Sequence, residues 1–158
     1  MEKLPGDVLR AHKGVSFVGV STCFFCYRSD GMFFLAKRSK NARDEQGRWE
    51  MGGGGLKWGL TALENIEREL KEEFNAGPKD IKFLGYRDVF RKNKDQDTHW
   101  LCLDFAVLVD EKNVRINEPD MFDDSGWFTL NSLPNPLHSQ QQIFFDKNKN
   151  ELLELGIR

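Results

Sequence analysis

Between residues 67 and 74 the chain reads ERELKEEF, four glutamates with one arginine and one lysine among eight residues. Placed on a helical wheel at about 100° per residue, Glu69, Glu72 and Glu73 gather on one arc. Leu63, Ile66, Leu70 and Phe74 fall on a narrow stripe beside it, the expected buried face. Glu67 and Lys71 form an i,i+4 pair of the stabilising orientation, so part of the run is ordinary helix-surface charge. Glu69 and Glu73 are a like-charged i,i+4 pair, which costs a few tenths of a kcal/mol unless a cation lies between them. Just upstream, MGGGGLKWG supplies glycines (Gly52 to Gly55) where backbone is expected to turn tightly or approach a ligand closely. A free carbonyl there beside three carboxylates makes an all-oxygen donor set suited to Mg²⁺ or Mn²⁺.

The rest of the chain must position that set. With 158 residues, 39% of them hydrophobic and 30% charged, it reads as one folded domain spanning residues 1–158. A formal net charge of -2 gives no basic field for nucleic acid. No apolar run is long enough to span a bilayer, and MEKLPGDVLRAHKG lacks the apolar core of a signal peptide, so a cytoplasmic location is expected. VSFVGVSTCFFCYR (15–28) reads as a long strand, SDG as a turn, and MFFLAKR (32–38) as its hairpin partner. IKFLGYRDVFR and HWLCLDFAVLV read as two more strands around the charged turn KNKDQD, and SGWFTL as a short one. The tail from Gln140 has apolar residues at helical spacing, including Ile143, Leu152 and Leu155. Strands and helices mix without regular βαβ alternation, so the class is α+β.

Three cysteines argue against a disulfide framework. Cys23 and Cys26 with His99 and Cys102 imitate a zinc pattern, but residues three apart on a strand point to opposite faces, so neither pair should close on one metal.

The segment GGLKWGLTALENIERELKEEFNA, Gly54 to Ala76, resembles the Nudix box, G-x5-E-x7-R-E-U-x-E-E-x-G-U with U bulky and aliphatic. Six of its nine specified positions match: Gly54, Arg68, Glu69, Leu70, Glu72 and Glu73. WEMGG stands where W-E-L-P-G is common, and the strand order and the later GWFTLNSLP are also similar to the family. The resemblance implies a mixed sheet in an α/β/α sandwich, a Mg²⁺ or Mn²⁺ cofactor, and a small-molecule nucleotide substrate. It also implies a monomer or homodimer. By residue, it implies Glu72 and Glu73 as main metal ligands with the Gly53 carbonyl. Glu69 is implied as ligand or base for the attacking water, with Arg68 holding a glutamate in place.

Three positions depart from the pattern. Leu60 replaces its first glutamate, which should change hydrogen bonding around the site more than the metal itself. Asn75 replaces the glycine after the helix, a mild change because Asn is the next-best residue for a left-handed backbone. Ala76 is smaller than the usual aliphatic and should cost some packing.

Beyond the box, NEPDMFDDSGW offers one further carboxylate, Glu118 first and Asp120 second. Trp58, Trp127 and His138 are candidates for touching base or phosphate. The favoured activity is metal-dependent hydrolysis of a nucleoside triphosphate, ordinary or oxidised, to monophosphate and pyrophosphate. Arg91 and Lys92 stand where an ADP-ribose subclass has proline, and the run typical of NADH-cleaving members is absent. A GDP-mannose-like hydrolase is the alternative, although such enzymes lose the glutamate kept here as Glu69. A Nudix-like domain that binds without turnover is third.

Overall fold

Alternation of large apolar side chains along the central strands decides the layers. Phe24 and Cys26 point to one face and Phe25 and Tyr27 to the other, and all four are buried. The computed structural model describes residues 5–93 and 95–158. Met1–Leu4 and Lys94, the latter within the expected charged turn, lie outside the described residues. In chain order the elements are α1 (Gly6–His12), β1 (Gly19–Tyr27), β2 (Phe33–Arg38), β3 (Trp49–Glu50), β4 (Gly52–Gly55) and α2 (Ala62–Phe74). There follow β5 (Pro78–Asn93), β6 (Gln96–Val109), a 3₁₀ turn (Glu111–Asn113), β7 (Phe122–Phe128) and α3 (Ser139–Glu154).

The strands make one mixed sheet of seven, with the path β3-β2-β1-β6-β5. β4 pairs with β1, and β7 pairs with β2. β1 and β6 run parallel, Gly19 opposite Trp100 through Tyr27 opposite Leu108, while the other pairings are antiparallel. Helix α2 covers one face with Ile66, Leu70 and Phe74 over Phe24, Phe34, Phe105 and Val107. Helix α3 covers the other with Phe144, Phe145 and Leu152 over Phe25, Phe33 and Ala106. Edge-on contact of Phe24 with Phe74 (5.7 Å) and the tilted pair Phe25–Phe144 (5.3 Å) lock each helix to β1. The expected α/β/α sandwich is therefore present. Among the described residues no helix is long and apolar enough to cross a membrane.

Several local expectations are corrected. The first strand starts at Gly19 rather than Val15, and Val15, Phe17 and Val18 are exposed. Here the indole of Trp100 lies against Gly14 and Gly19, where any Cβ would collide with it. The four glycines form a strand, and none of them needs a left-handed φ. Leu63 is half exposed while Asn65 and Glu73 are buried, so the inward face of α2 is turned from the purely apolar stripe toward polar positions. Ile143 likewise faces outward, and Gln141 and Asn148 face inward. Cys26 lies in the core under α2, whereas Cys23 neighbours Cys102 on the opposite face, so no four-ligand zinc set forms. His99 is spent on Asp88 (3.1 Å) and on stacking with Phe90.

Candidate active site

Helix α2 starts where its sequence says it should. Thr61 accepts from the Glu64 N–H, and the Glu64 carboxylate accepts from the Thr61 N–H, a reciprocal capping box. The helix ends at Asn75 in the left-handed conformation (φ 51°), and the Asn75 N–H bonds back to the Lys71 carbonyl and the Ala76 N–H to the Leu70 carbonyl. Asn at the pattern's glycine position thus keeps the stop. Ala76 is buried in the core beneath.

Glu73 is 8% exposed and accepts a hydrogen bond from the Gly53 N–H (3.1 Å). Burial pushes its carboxyl well above the ordinary range, and the neighbouring Glu50 and Glu69 push it further. In an extended strand the N–H and C=O of one residue point the same way. Since the Gly53 N–H leaves the sheet for Glu73, its carbonyl also faces away from β1. The absence of side chains on β4 is a steric requirement. A Cβ on Gly54 would strike the Glu69 carboxylate, and one on Gly52 would meet the Phe24 ring and Glu73 Oε2 at 2.8 Å. Gly52 and Gly54 let the carboxylate face of α2 settle onto the strand.

Arg68 donates to Glu72 (2.5 Å) and to Glu69, and its Nη2 also reaches Asn65 Oδ1 (3.1 Å). The expected role of Arg68 in holding glutamates fits these contacts. Glu118, from the loop before β7, has its carboxyl raised by burial and by the nearby charges of Glu69 and Glu72. Asp120 is exposed and contributes only its carbonyl, to Ser39 and Asn41. Among the described residues no three His, Cys, Asp or Glu side chains stand together in an arrangement that could hold a metal ion as it is. The donor set nevertheless fits a hard divalent cation in chemistry and charge. It has four carboxylates against one guanidinium, one of them buried, with backbone oxygen beside them.

Glu73, Glu118 and Gly52 to Gly55 line one end of a cavity of about 530 Å³, within the size range of small-molecule sites. Its floor is Ser21, Cys23 and Cys102, and its far end is Val15, Thr98 and Trp100. The remaining wall is a network that the sequence did not disclose. Arg38 donates to Glu50 (2.5 Å) and Asp44 (2.8 Å), Arg91 to Asp44 (2.8 Å) and Glu45 (3.1 Å), and Ser139 to Glu45. Arg87 and Asp104 form a two-pronged buried pair (2.7 and 2.8 Å) below it. None of these residues lies close to its partner in a recognisable motif, and only the fold brings them together.

Among the aromatic candidates and His138, only His138 lines the cavity. It caps α3, with Nδ1 accepting from the Gln140 N–H (3.1 Å), and burial pushes its pKa down to about 4. Trp127 packs on Phe34 in the core under α2 with Arg28 over its ring, and Trp58 is 83% exposed. Neither tryptophan reaches the cavity wall.

Comparison with known proteins matches this geometry. A family model described as the NUDIX domain matches residues 18–147. A nucleoside triphosphatase, NudI of Enterobacter sp. (strain 638), is 28% identical over 113 residues, covering 67% of this chain and 79% of the relative. The crystal structure of a MutT NUDIX hydrolase from Burkholderia pseudomallei superposes with a TM-score of 0.74 at 26% identity, covering 83% of this chain and 98% of that one. The NUDIX domain of Shewanella oneidensis NrtR, solved with ADP ribose, shares the fold at 14% identity (TM-score 0.68; 94% of this chain, 99% of that one). With its box on α2, its glycine strand and its mixed sheet between two helices, the chain belongs to the Nudix family and is a Nudix hydrolase.

Proposed function

We propose that the chain is a divalent-metal-dependent hydrolase of nucleoside triphosphates, releasing nucleoside monophosphate and pyrophosphate. One observation carries the reading: Glu73 and Glu118 line one end of a nucleotide-sized cavity, and Glu69 and Glu72, both held by Arg68, stand beside them. A bound Mg²⁺ or Mn²⁺ would neutralise phosphate oxygens and lower the pKa of water. Glu72, Glu73 and the Gly53 carbonyl would hold it, with Glu69 as a further ligand. Glu69 and Glu72 would turn from Arg68 to do so, leaving that guanidinium beside the phosphates.

The water oxygen joins the α- or the β-phosphorus, the bond from that phosphorus to the bridging oxygen breaks, and pyrophosphate or nucleoside monophosphate leaves respectively, the other product keeping the water oxygen. A proton from the water passes to a carboxylate oxygen. Glu118 suits that task, since it lines the cavity and its carboxyl is held above the usual range. His138, neutral at physiological pH, offers an uncharged contact at the opposite wall. The name of the NudI relative supports triphosphates as the substrate class.

The test is a release assay with Mg²⁺ and Mn²⁺ on ordinary and oxidised nucleoside triphosphates, GDP-mannose, ADP-ribose and a dinucleoside polyphosphate. Triphosphate turnover to monophosphate and pyrophosphate, lost in Glu73→Gln, is expected. Release of free sugar from GDP-mannose would mean attack at carbon and replace the reading. No turnover of any compound would leave a domain that only binds.

A further inference from the structure

Asn65 closes the first turn of α2 and is 0% exposed, an unfavourable place for an amide unless each of its groups is satisfied. They are, by three separate parts of the molecule. Its Nδ2 donates to Thr22 Oγ1 on β1 (2.9 Å), and its Oδ1 accepts from the Lys57 N–H (3.2 Å) and from Arg68 Nη2 (3.1 Å). Because the Lys57 N–H and Arg68 are donors only, the amide oxygen must face them, and its orientation is fixed. Thr22 in turn lies opposite Gly54 in the β1–β4 pairing. One side chain thus ties the strand behind the glycines, the loop after them and the guanidinium that grips Glu69 and Glu72.

We propose that Asn65 is a positioning residue that sets the carboxylates of α2 against the glycine strand. It anchors the loop that ends at Leu60, where the family pattern has a carboxylate and this chain has none. The inference rests on the metal-site reading above, and it concerns how the site is built rather than what it cleaves.

The test reads Mn²⁺ affinity of the free enzyme by electron paramagnetic resonance, without nucleotide, beside kcat and KM for the best triphosphate. Asn65→Ala and the better-filling Asn65→Leu should each weaken Mn²⁺ binding about tenfold or more, in line with other partners of metal ligands. They should lower kcat with KM within about threefold, the mark of an interaction specific to the reacting geometry. Asn65→Asp, which keeps an oxygen toward Lys57 and Arg68, should recover most of the affinity. Thr22→Val leaves Asn65 in place but cuts its tie to β1 and takes the acceptor from its Nδ2, and a loss of about threefold or more in affinity is expected. This variant decides the matter if the Asn65 variants do not fold. Affinity within twofold of wild type in a folded Asn65→Ala or Asn65→Leu, or in Thr22→Val when neither folds, overturns the inference. So does Asn65→Asp behaving like the apolar variants. A wild type that binds Mn²⁺ and loses affinity as described, yet cleaves no compound in the panel, would sink the proposed function alone. A wild type that binds no Mn²⁺ would sink both.

Discussion

Two groups of charge border the same cavity, one through Arg38, Asp44, Glu50, Arg87 and Arg91, the other through Glu73 and Glu118. On the wall toward α3, Arg38, Arg87 and Arg91 stand among Asp44, Glu45, Glu50 and Asp104, each anion within reach of a guanidinium. At the α2 end, Arg68 pairs with Glu69 and Glu72, and Glu73 and Glu118 stand beside them. The first group is nearly balanced and holds the loop at 39–48, β5 and the start of α3 together. The second carries surplus negative charge, and its most buried member is pushed toward the neutral form. Balanced buried charge builds a wall, whereas unbalanced buried charge marks the place where something positive belongs.

Substitutions can break that contrast. On the balanced side, Asp104→Ala leaves Arg87 buried and unpaired, and should cost about 3–5 kcal/mol in urea unfolding. On the unbalanced side, Glu73→Gln should raise the melting temperature of the metal-free protein, because it removes a charge that its surroundings disfavour. The same change should lower kcat/KM by more than the roughly 10–100-fold typical of losing an outer partner of a metal ligand. A Glu73→Gln protein that lost stability would place Glu73 with the balanced group instead.

The wall has a pH dependence of its own. His138 is held near pKa 4 in the folded chain, while an unfolded imidazole titrates at about 6.5. The unfolded state therefore takes up the proton first as pH falls. Stability from neutral His138 is complete above about 6.5 and is lost toward pH 4, by about 2 to 3 kcal/mol. Unfolding at a series of pH values should show this slope in wild type and a shallower one in His138→Asn, which retains a helix-capping side chain. The smallest effect concerns the end of α2. Asn75→Ala should cost about 1–2 kcal/mol through its left-handed backbone and lost side-chain bonds, read from the shift in urea midpoint.

Legibility followed the range of the interactions. The box, both ends of α2, the first hairpin and the two long strands depend on neighbours a few residues apart, and periodicity or capping chemistry discloses them. Leu63 and Ile143 were misplaced because apolar periodicity assumes that the apolar side is the buried one, and here Asn65, Glu73, Gln141 and Asn148 take inward positions. The glycine run allows a tight turn or a close approach, and which of the two is not legible because the groups that crowd it, Phe24, Glu69 and Glu73, come from other elements. Asn65 carried one usable signal, an amide inside an otherwise well-patterned helix. The arginine network carried none, since Arg38, Asp44 and Arg91 meet only through the sheet.

The parallel pairing of β1 with β6 has a consequence for how the molecule is made. Ser21 and Cys102, opposite one another on the cavity floor, are separated by 81 positions, whereas Gly53 and Glu73 are separated by 20. Closing the longer loop must be accomplished before most of its contacts can repay the lost chain entropy, so central pairing of this kind slows folding. The glycine strand and its glutamate helix can meet within a short span of chain, while the chamber that would receive a substrate waits for β5 and β6 to arrive. During synthesis the glutamates of α2 thus emerge and can meet the glycine strand ahead of Glu118 and of the compartment they serve.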